Sequence, residues 1–231
     1  MKRRLPNFIC ILTALIYLTV NTFNASAQTN SSTPESIGLT GEVKLNNIPL
    51  SFKVPDGLEF ISKEDTREIL SSVFSFSEEN LQYIEGMFIP VAGEKLPQNL
   101  LYKGIDLTDP QYFFLLKYLN TGHVNDMGMD KFDFNKLLTK LSQQNPVNFH
   151  YSWAWQPSYD EKNHLMTLPI TIYDDLDNSS YADIRYILFG NSGIAQIEVE
   201  FNDKDNEVAK NVRKYISEIS DAIKFNRGDR Y

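Results

Sequence analysis

The hydrophobic pattern in the first half of the chain predicts strands mixed with one helix. Residues 41–57 alternate apolar and polar positions on both sides of Asn46-Asn47, as a β-hairpin does. Ser62 followed by Asp65 is a helix-capping signature, and a helical apolar face comes after it: Ile69, Leu70, Val73 and Phe74. Two further strands are predicted by short apolar runs rich in aromatic and branched residues, YIEGMFIPVAG and QYFFLLKYL.

The second half is richer in strands and has a helix at each end. Asp130 or Asp133 caps the first helix, which runs to about Gln144 before Pro146. Period-two alternation then predicts an antiparallel meander of strands near 148–156, 165–173, 181–189 and 193–201.

The chain closes with a helix over about 205–225, whose apolar stripe comprises Val208, Val212, Tyr215, Ile216, Ile219 and Ile223. Together these elements predict an α+β fold. A mostly antiparallel sheet with a C-terminal strand meander should be covered by about three helices.

The N-terminus has the layout of a secretory signal peptide. Three basic residues precede an apolar run over 8–20, and Ala25-Ser26-Ala27 supplies small residues for cleavage between Ala27 and Gln28. The run is shorter than the roughly 20 residues that span a bilayer, although an uncleaved anchor is the alternative. We expect a signal peptide over 1–27, a flexible polar leader over 28–40 and a single α+β domain over 41–226. After cleavage we expect no membrane span.

Charge and cysteine content exclude several classes of function. The chain carries a formal charge of −8, which becomes −11 once the three basic residues of the signal peptide are removed. Such an acidic protein is unsuited to binding nucleic acid or an anionic membrane. Cys10, the only cysteine, lies in the signal peptide, so the mature chain has neither disulfides nor thiol chemistry.

An aromatic stripe on the first meander strand has two interpretations. Alternation places four aromatic side chains on one face of the strand: Phe149, Tyr151, Trp153 and Trp155. Such a stripe usually fills the core between a sheet and its helices. The alternative is an exposed platform for a ligand.

The other polar motifs are typical of helix caps and turns, and each has a binding or catalytic site as its alternative. Acidic residues at 126–133 and 174–177 offer carboxylates for calcium, but helix capping and turns also use these residue types. The GNSG sequence at 190–193 is typical of a hairpin turn, with the nucleophile loop of a hydrolase as the alternative. The three histidines lack metal-ligand spacing, and no phosphate-binding loop occurs. We therefore predict no metal, no cofactor and no catalytic residue.

The segment SWAWQPSYDEKNHL resembles a motif of a bacterial family of membrane-anchored envelope proteins, the domain of unknown function 2167. Trp153, Ala154, Pro157, Tyr159, Asp160 and His164 match that motif, while Ser152 and Gln156 depart. Supporting blocks are IPLSFKVPDGLEFIS, YLNTGHVND and IRYILFGNSGIAQIEVEF. The resemblance covers roughly residues 48–201 and implies no established activity. Members of that family typically carry apolar membrane segments near the C-terminus, and no such segment follows the last helix here. The resemblance therefore implies a soluble form, periplasmic or secreted.

The resemblance and the residues together indicate one candidate binding corner: Trp153, Tyr159, Asp160 and His164. Asp160 and His164 flank a hairpin turn, where the carboxylate would either staple the turn or orient the imidazole for acid-base chemistry. We expect a non-enzymatic binding or accessory module in the bacterial periplasm or outside the cell, with a protein or glycan partner. The alternative is a glycan-active or other hydrolase that uses Asp160 and His164.

Overall fold

The structure is a computed structural model. It describes residues 38–72, 74, 76–91, 101–102, 105–106, 112–144, 148–176, 178–202 and 204–230. The predicted signal peptide, its cleavage site between Ala27 and Gln28, and most of the predicted leader lie outside the described residues. So do Val73 of the first helix and Asp177 of the second acidic loop.

An eight-stranded antiparallel sheet forms the centre of the fold. Its strands are β3 (Leu58–Ile61), β4 (Ile84–Pro90), β7 (Phe114–Leu119), β8 (Phe149–Trp153), β9 (Ser158–Asp160), β10 (Leu165–Asp174), β11 (Ser179–Phe189) and β12 (Ile194–Phe201). Their hydrogen-bonded order is β3-β4-β7-β12-β11-β10-β8, and β9 pairs with β10 beside β8.

Two smaller sheets accompany the central one. The N-terminal hairpin of β1 (Glu42–Lys44) and β2 (Leu50–Lys53) is extended by β13 (Lys224–Phe225) from the end of the chain. A two-stranded sheet joins β5 (Leu101–Tyr102) to β6 (Ile105–Asp106). The pairing of β13 with β2 ties residues near the C-terminus to the N-terminal hairpin.

Four α-helices occur in the described residues: α1 (Lys63–Ser72), α2 (Glu78–Leu81), α3 (Phe134–Gln144) and α4 (Asn206–Ala222). Capping follows the sequence signals. Ser62 Oγ accepts from Asp65 N, Asp133 Oδ1 accepts from Lys136 N, and Asp205 Oδ1 accepts from Glu207 N and Val208 N. These bonds satisfy amide groups that have no partner inside the helix.

The helices cover the two faces of the sheet. Helix α4 buries its apolar stripe against one face, together with the N-terminal hairpin. On the opposite face α1 packs over the β3-β4-β7 side, and α3 packs over the β8-β10 side. Side chains of a strand alternate between the faces, so each strand contributes to both layers.

The predicted α+β fold is confirmed, and so are the meander and the three longer helices. Some boundaries differ. The last helix ends at Ala222, because Lys224 and Phe225 pair with β2. Strand β8 ends at Trp153, so Trp155 leaves the predicted stripe and packs against the cluster under α4, with the Arg213 guanidinium carbon 4.7 Å from its ring centroid.

The other three aromatic residues of the stripe agree with the core interpretation. Phe149, Tyr151 and Trp153 are half-buried and pack against the cluster under α3. The Phe134 ring of α3 meets the Trp153 ring edge-on, with a centroid distance of 6.3 Å. Within the described part of the chain, no helix has the length and apolar content needed to cross a membrane.

Candidate functional site

Between the areas covered by α1 and α3, the sheet face carries polar side chains instead of apolar ones. We call this group the charged cluster, and its members are Lys117, Asp183, Arg185, Gln196, Glu198 and Glu200. All of them are buried except Glu200, which is half-buried. Strand alternation places them there, because they occupy the face opposite α4 on the three adjacent central strands β7, β12 and β11.

The strand register decides which cluster members face one another. Arg185 lies directly opposite Glu198, a favourable pair of opposite charges. Asp183, however, lies directly opposite Glu200. Two ionised carboxylates about 5 Å apart repel by about 3 kcal/mol at an effective dielectric constant of about 20. The register therefore builds one unfavourable like-charge pair into the centre of the sheet.

Hydrogen bonds satisfy most of the charged cluster. Arg185 Nε donates to both carboxylate oxygens of Asp183 at 3.0 Å, and Lys117 Nζ donates to Glu198 Oε2 at 2.7 Å. Burial alone would lower the pKa of Arg185, but the charges of Asp183 and Glu198 raise it above its ordinary value. Burial raises the pKa of Asp183, and the Arg185 charge opposes that rise. Arg185 therefore stays charged in this environment.

Two groups of the charged cluster lack such partners. No hydrogen bond or ion pair to the Glu200 carboxyl group occurs among the described residues. Burial, with the charges of Asp183 and Glu198, raises the pKa of Glu200 well above the ordinary 4.5. Gln196 is fully buried and its Nε2 donates to Glu198 Oε2 at 2.6 Å, yet its Oε1 has no hydrogen-bond partner in the described structure.

A second polar site lies at the end of β10 nearest the β11–β12 turn. There the side chains of Tyr159 and His164 both bond to the same carboxylate oxygen, Asp126 Oδ2. We call these three residues the His164 corner. His164 Nδ1 is 2.7 Å from that oxygen, and the side chains of Asp126 and His164 are 7% and 32% exposed. Since the carboxylate accepts, Nδ1 is the donor and Nε2 is on the far side of the ring.

The backbone of His164 has an unusual conformation. His164 has φ 50°, a left-handed conformation that a non-glycine residue seldom adopts. Its carbonyl oxygen accepts from Phe189 N at 3.0 Å, which ties the residue to the neighbouring strand β11. Strained positions of this kind persist where the surrounding contacts fix them, and they are frequent at functional sites.

The structure brings together only part of the predicted corner. Tyr159 and His164 both bond to Asp126, whereas the carboxylate of Asp160 bonds within the turn that follows it. The Asp160 carboxylate accepts from Asn163 Nδ2, and also from Asn163 N and Lys162 N, and these bonds lower the pKa of Asp160. Asp160 is thus a turn staple, and Asp126 is the carboxylate that orients His164. Trp153 lies against Phe134 of α3.

The remaining polar motifs have structural partners. Asp174 Oδ1 accepts from Leu176 N in the β10–β11 turn, and Asp175 pairs with His150 at 2.7 Å. The GNSG motif is the β11–β12 hairpin turn, closed by a 2.9 Å bond from Gly190 N to Gly193 O. Asp126 differs from the expected acidic approach to a helix, because it is buried and its carboxylate bonds to Tyr159 and His164.

Sequence reasoning did not find the charged cluster. The available signal was the alternation in IAQIEVEF, which places Gln196, Glu198 and Glu200 on one face of a strand whose other face is apolar. A lysine within FFLLKYL and an arginine within DIRYIL were weaker signals of the same kind. None of them indicates that the three strands are adjacent.

The fold and its polar sites define an α+β domain with a charged cluster inside a helix-covered antiparallel sheet. The chain belongs to the family of proteins of unknown function DUF2167, whose family model matches residues 38–231. No curated protein matches it. The solution structure of cyanobacterial PsbP (CyanoP) from Synechocystis sp. PCC 6803 is similar over 84% of this chain and 98% of that chain, with 8% sequence identity and a TM-score of 0.48.

Proposed function

We propose that this protein is a non-enzymatic binding or accessory module of the bacterial cell envelope, periplasmic or secreted, and that it binds a protein or glycan partner through the His164 corner. One observation carries the proposal: two side chains converge on a single buried carboxylate oxygen and fix an imidazole at the surface. A fixed side chain loses little conformational freedom on binding, and this favours recognition.

The surroundings of the His164 corner support a role in binding. Met127, the residue after Asp126, is 80% exposed, so an apolar residue lies at the surface one position from the shared carboxylate. Methionine is common at binding surfaces because its side chain adapts to partners of different shape. An oriented hydrogen-bonding ring, with an exposed apolar residue one position from its carboxylate partner, suits either a protein surface or a sugar.

The proposal is tested with the variant His164→Asn. Asparagine tolerates a left-handed backbone, so the turn should keep its conformation while the imidazole is lost. Purified protein is immobilised and exposed to an envelope extract of the host bacterium and, separately, to purified peptidoglycan. We expect retention of the partner to fall at least about tenfold, which corresponds to about 1.4 kcal/mol.

The matched control is His150→Asn. His150 also pairs with a carboxylate at 2.7 Å, but the His150 and Asp175 side chains are 65% and 45% exposed. The pair lies at the far end of β10, about 30 Å from His164 at the usual rise of a strand. We expect the control to retain the partner like the unmodified protein. Equal retention by all three proteins contradicts the proposal.

The Asp126–His164 bond also favours a second candidate, a glycan-active or other hydrolase. A buried carboxylate on Nδ1 is how many enzymes orient a histidine that acts as a base through Nε2. Asp126 would then take the role that the sequence suggested for Asp160. The same peptidoglycan experiment separates the candidates. Release of soluble fragments that disappears in His164→Asn supports the hydrolase, and binding without release supports the module.

A further inference from the structure

We propose that the charged cluster binds a monovalent cation, K⁺, Na⁺ or a primary ammonium group, between Asp183, Glu198 and Glu200. The first reason is charge. Within the described residues the cluster combines three carboxylates with two basic side chains, Lys117 and Arg185, so it is one positive charge short when all three carboxylates are ionised. A buried group of charges is stable only when it is paired and hydrogen-bonded.

The geometry of the three carboxylates suits a cation. One oxygen from each of Asp183, Glu198 and Glu200 lies within 4.8 Å of the other two. A point between three such oxygens lies no more than about 2.8 Å from each, within reach of a cation that takes oxygen ligands. The direct cross-strand position of Asp183 and Glu200 places two of these carboxylates side by side, so a cation between them would turn repulsion into attraction.

Gln196 supplies an independent observation. Its side chain is fully buried, and its amide is held at the cluster by the 2.6 Å bond from Nε2 to Glu198 Oε2. Its Oε1 nevertheless has no donor among the described residues. A buried amide oxygen without a partner is costly, and a cation or an ammonium hydrogen at the cluster would satisfy it. Amide oxygens are also common ligands of hard cations.

The charge count decides between monovalent and divalent ions. One positive charge brings the cluster to neutrality, whereas a divalent ion would leave an excess positive charge beside Lys117 and Arg185. Lys117 already bonds to Glu198 at 2.7 Å, and Arg185 already bonds to Asp183 at 3.0 Å. A divalent ion would repel these two basic groups or displace them from the carboxylates. An excess charge in a buried site is as unfavourable as a deficit. K⁺, Na⁺ and ammonium share the required chemistry.

Glu200 is the ligand best suited to a test, because Arg185 and Lys117 bond to the other two carboxylates. The variant Glu200→Gln keeps the size of the side chain and removes the uncompensated charge. Thermal unfolding of the purified protein is followed at pH 8 in chloride salts of equal ionic strength, containing choline, K⁺, Na⁺, methylammonium, Mg²⁺ or Ca²⁺. Choline is too large for the site and serves as the reference cation.

In the unmodified protein we expect at least one of K⁺, Na⁺ and methylammonium to raise the Tm above its value in choline. At about twenty times the Kd, the rise should be about 4 to 7 °C. A rise in K⁺ or Na⁺ alone identifies a metal-ion site, and a rise in methylammonium alone identifies an ammonium site. Glu200→Gln should have nearly the same Tm in all monovalent salts. The control Glu218→Gln alters a half-exposed glutamate of α4, which pairs with Lys214 away from the cluster, and should keep the full rise.

A second variant tests the site independently, in case Glu200→Gln does not fold. Gln196→Leu removes the unpartnered oxygen without changing the charge, and we expect it to reduce the rise. Three results would overturn the proposal: the same Tm in choline and in all three smaller cations, an undiminished rise in Glu200→Gln, or a larger rise in Mg²⁺ or Ca²⁺ than in any monovalent salt.

Discussion

Glu200 shows how one residue can set the pH dependence of stability. Its pKa in the folded protein is raised well above the ordinary 4.5 by burial and by the charges of Asp183 and Glu198. The folded state therefore holds a proton more firmly than the unfolded state does. The stability that Glu200 contributes is fully present below about pH 4.5, and it is lost as the pH rises through the folded-state pKa.

This linkage predicts the behaviour of Glu200→Gln in choline chloride. Glutamine stays neutral at every pH, so the variant should be more stable than the unmodified protein above the folded-state pKa of Glu200. The difference should shrink as the pH falls toward 4.5. Urea unfolding monitored by circular dichroism at a series of pH values measures it. A variant that is less stable at pH 8 would show that Glu200 has a favourable ionic partner.

The His164 corner shows which residue-level contacts a sequence can and cannot indicate. The motif drew attention to Tyr159 and His164, and both belong to the corner. Their shared acceptor, Asp126, precedes them by 33 and 38 positions. Asp160 was the obvious carboxylate because it is close in sequence, but the turn uses both of its oxygens for local donors. Proximity along the chain therefore favoured Asp160 as the partner of His164, whereas the carboxylate that bonds to His164 is Asp126.

Among the elements, β4 depends on a glycine. Gly86 sits at a register shift between β4 and β7 with φ 155°, and a Cβ atom there would lie 2.6 Å from the Ile61 carbonyl oxygen and would overlap the Phe60 ring. The absence of a side chain lets β3 and β4 approach each other at this irregularity. The same overlap makes the position a sensitive test of strand packing.

Gly86→Ala should lower the free energy of unfolding by about 1–3 kcal/mol or more, because both the backbone conformation and the contact are strained. Urea denaturation gives the value. Gly122→Ala is the matched control, since Gly122 also has a positive φ of 70° but no atom lies within 4 Å of the added carbon. A loss no larger than that of the control would mean that β3 and β4 are not packed this closely.

Helices and hairpins were the elements that the sequence predicted best. The stripe of α4 repeats every three to four residues, and its members Val208, Val212, Ile216 and Ile219 are all buried. Its cap, Asp205, is also local. The end of α4 was harder to predict, because Lys224 and Phe225 leave the helix to pair with β2 near the other end of the chain.

For the whole molecule, the fold class followed from the periodicity, whereas the strand order did not. The charged cluster exists because β12 lies between β7 and β11, so that residue 117 meets residues that lie 66 to 83 positions later in the chain. Each strand alone has only one or two charges in an apolar run. The meander pattern predicted that β11 and β12 are adjacent, but the pattern of this single sequence did not indicate that β7 lies beside β12, and therefore not how these charges combine.

The central claim is that a partner binds at the His164 corner, and hydrogen exchange measured by mass spectrometry tests it most directly. The protein is compared alone and with the envelope fraction that retains it. We predict slower exchange on binding in peptides covering 120–128 and 158–165, with no change in α4. Protection confined to α4, or no protection at 158–165 in a complex that forms, would contradict the claim.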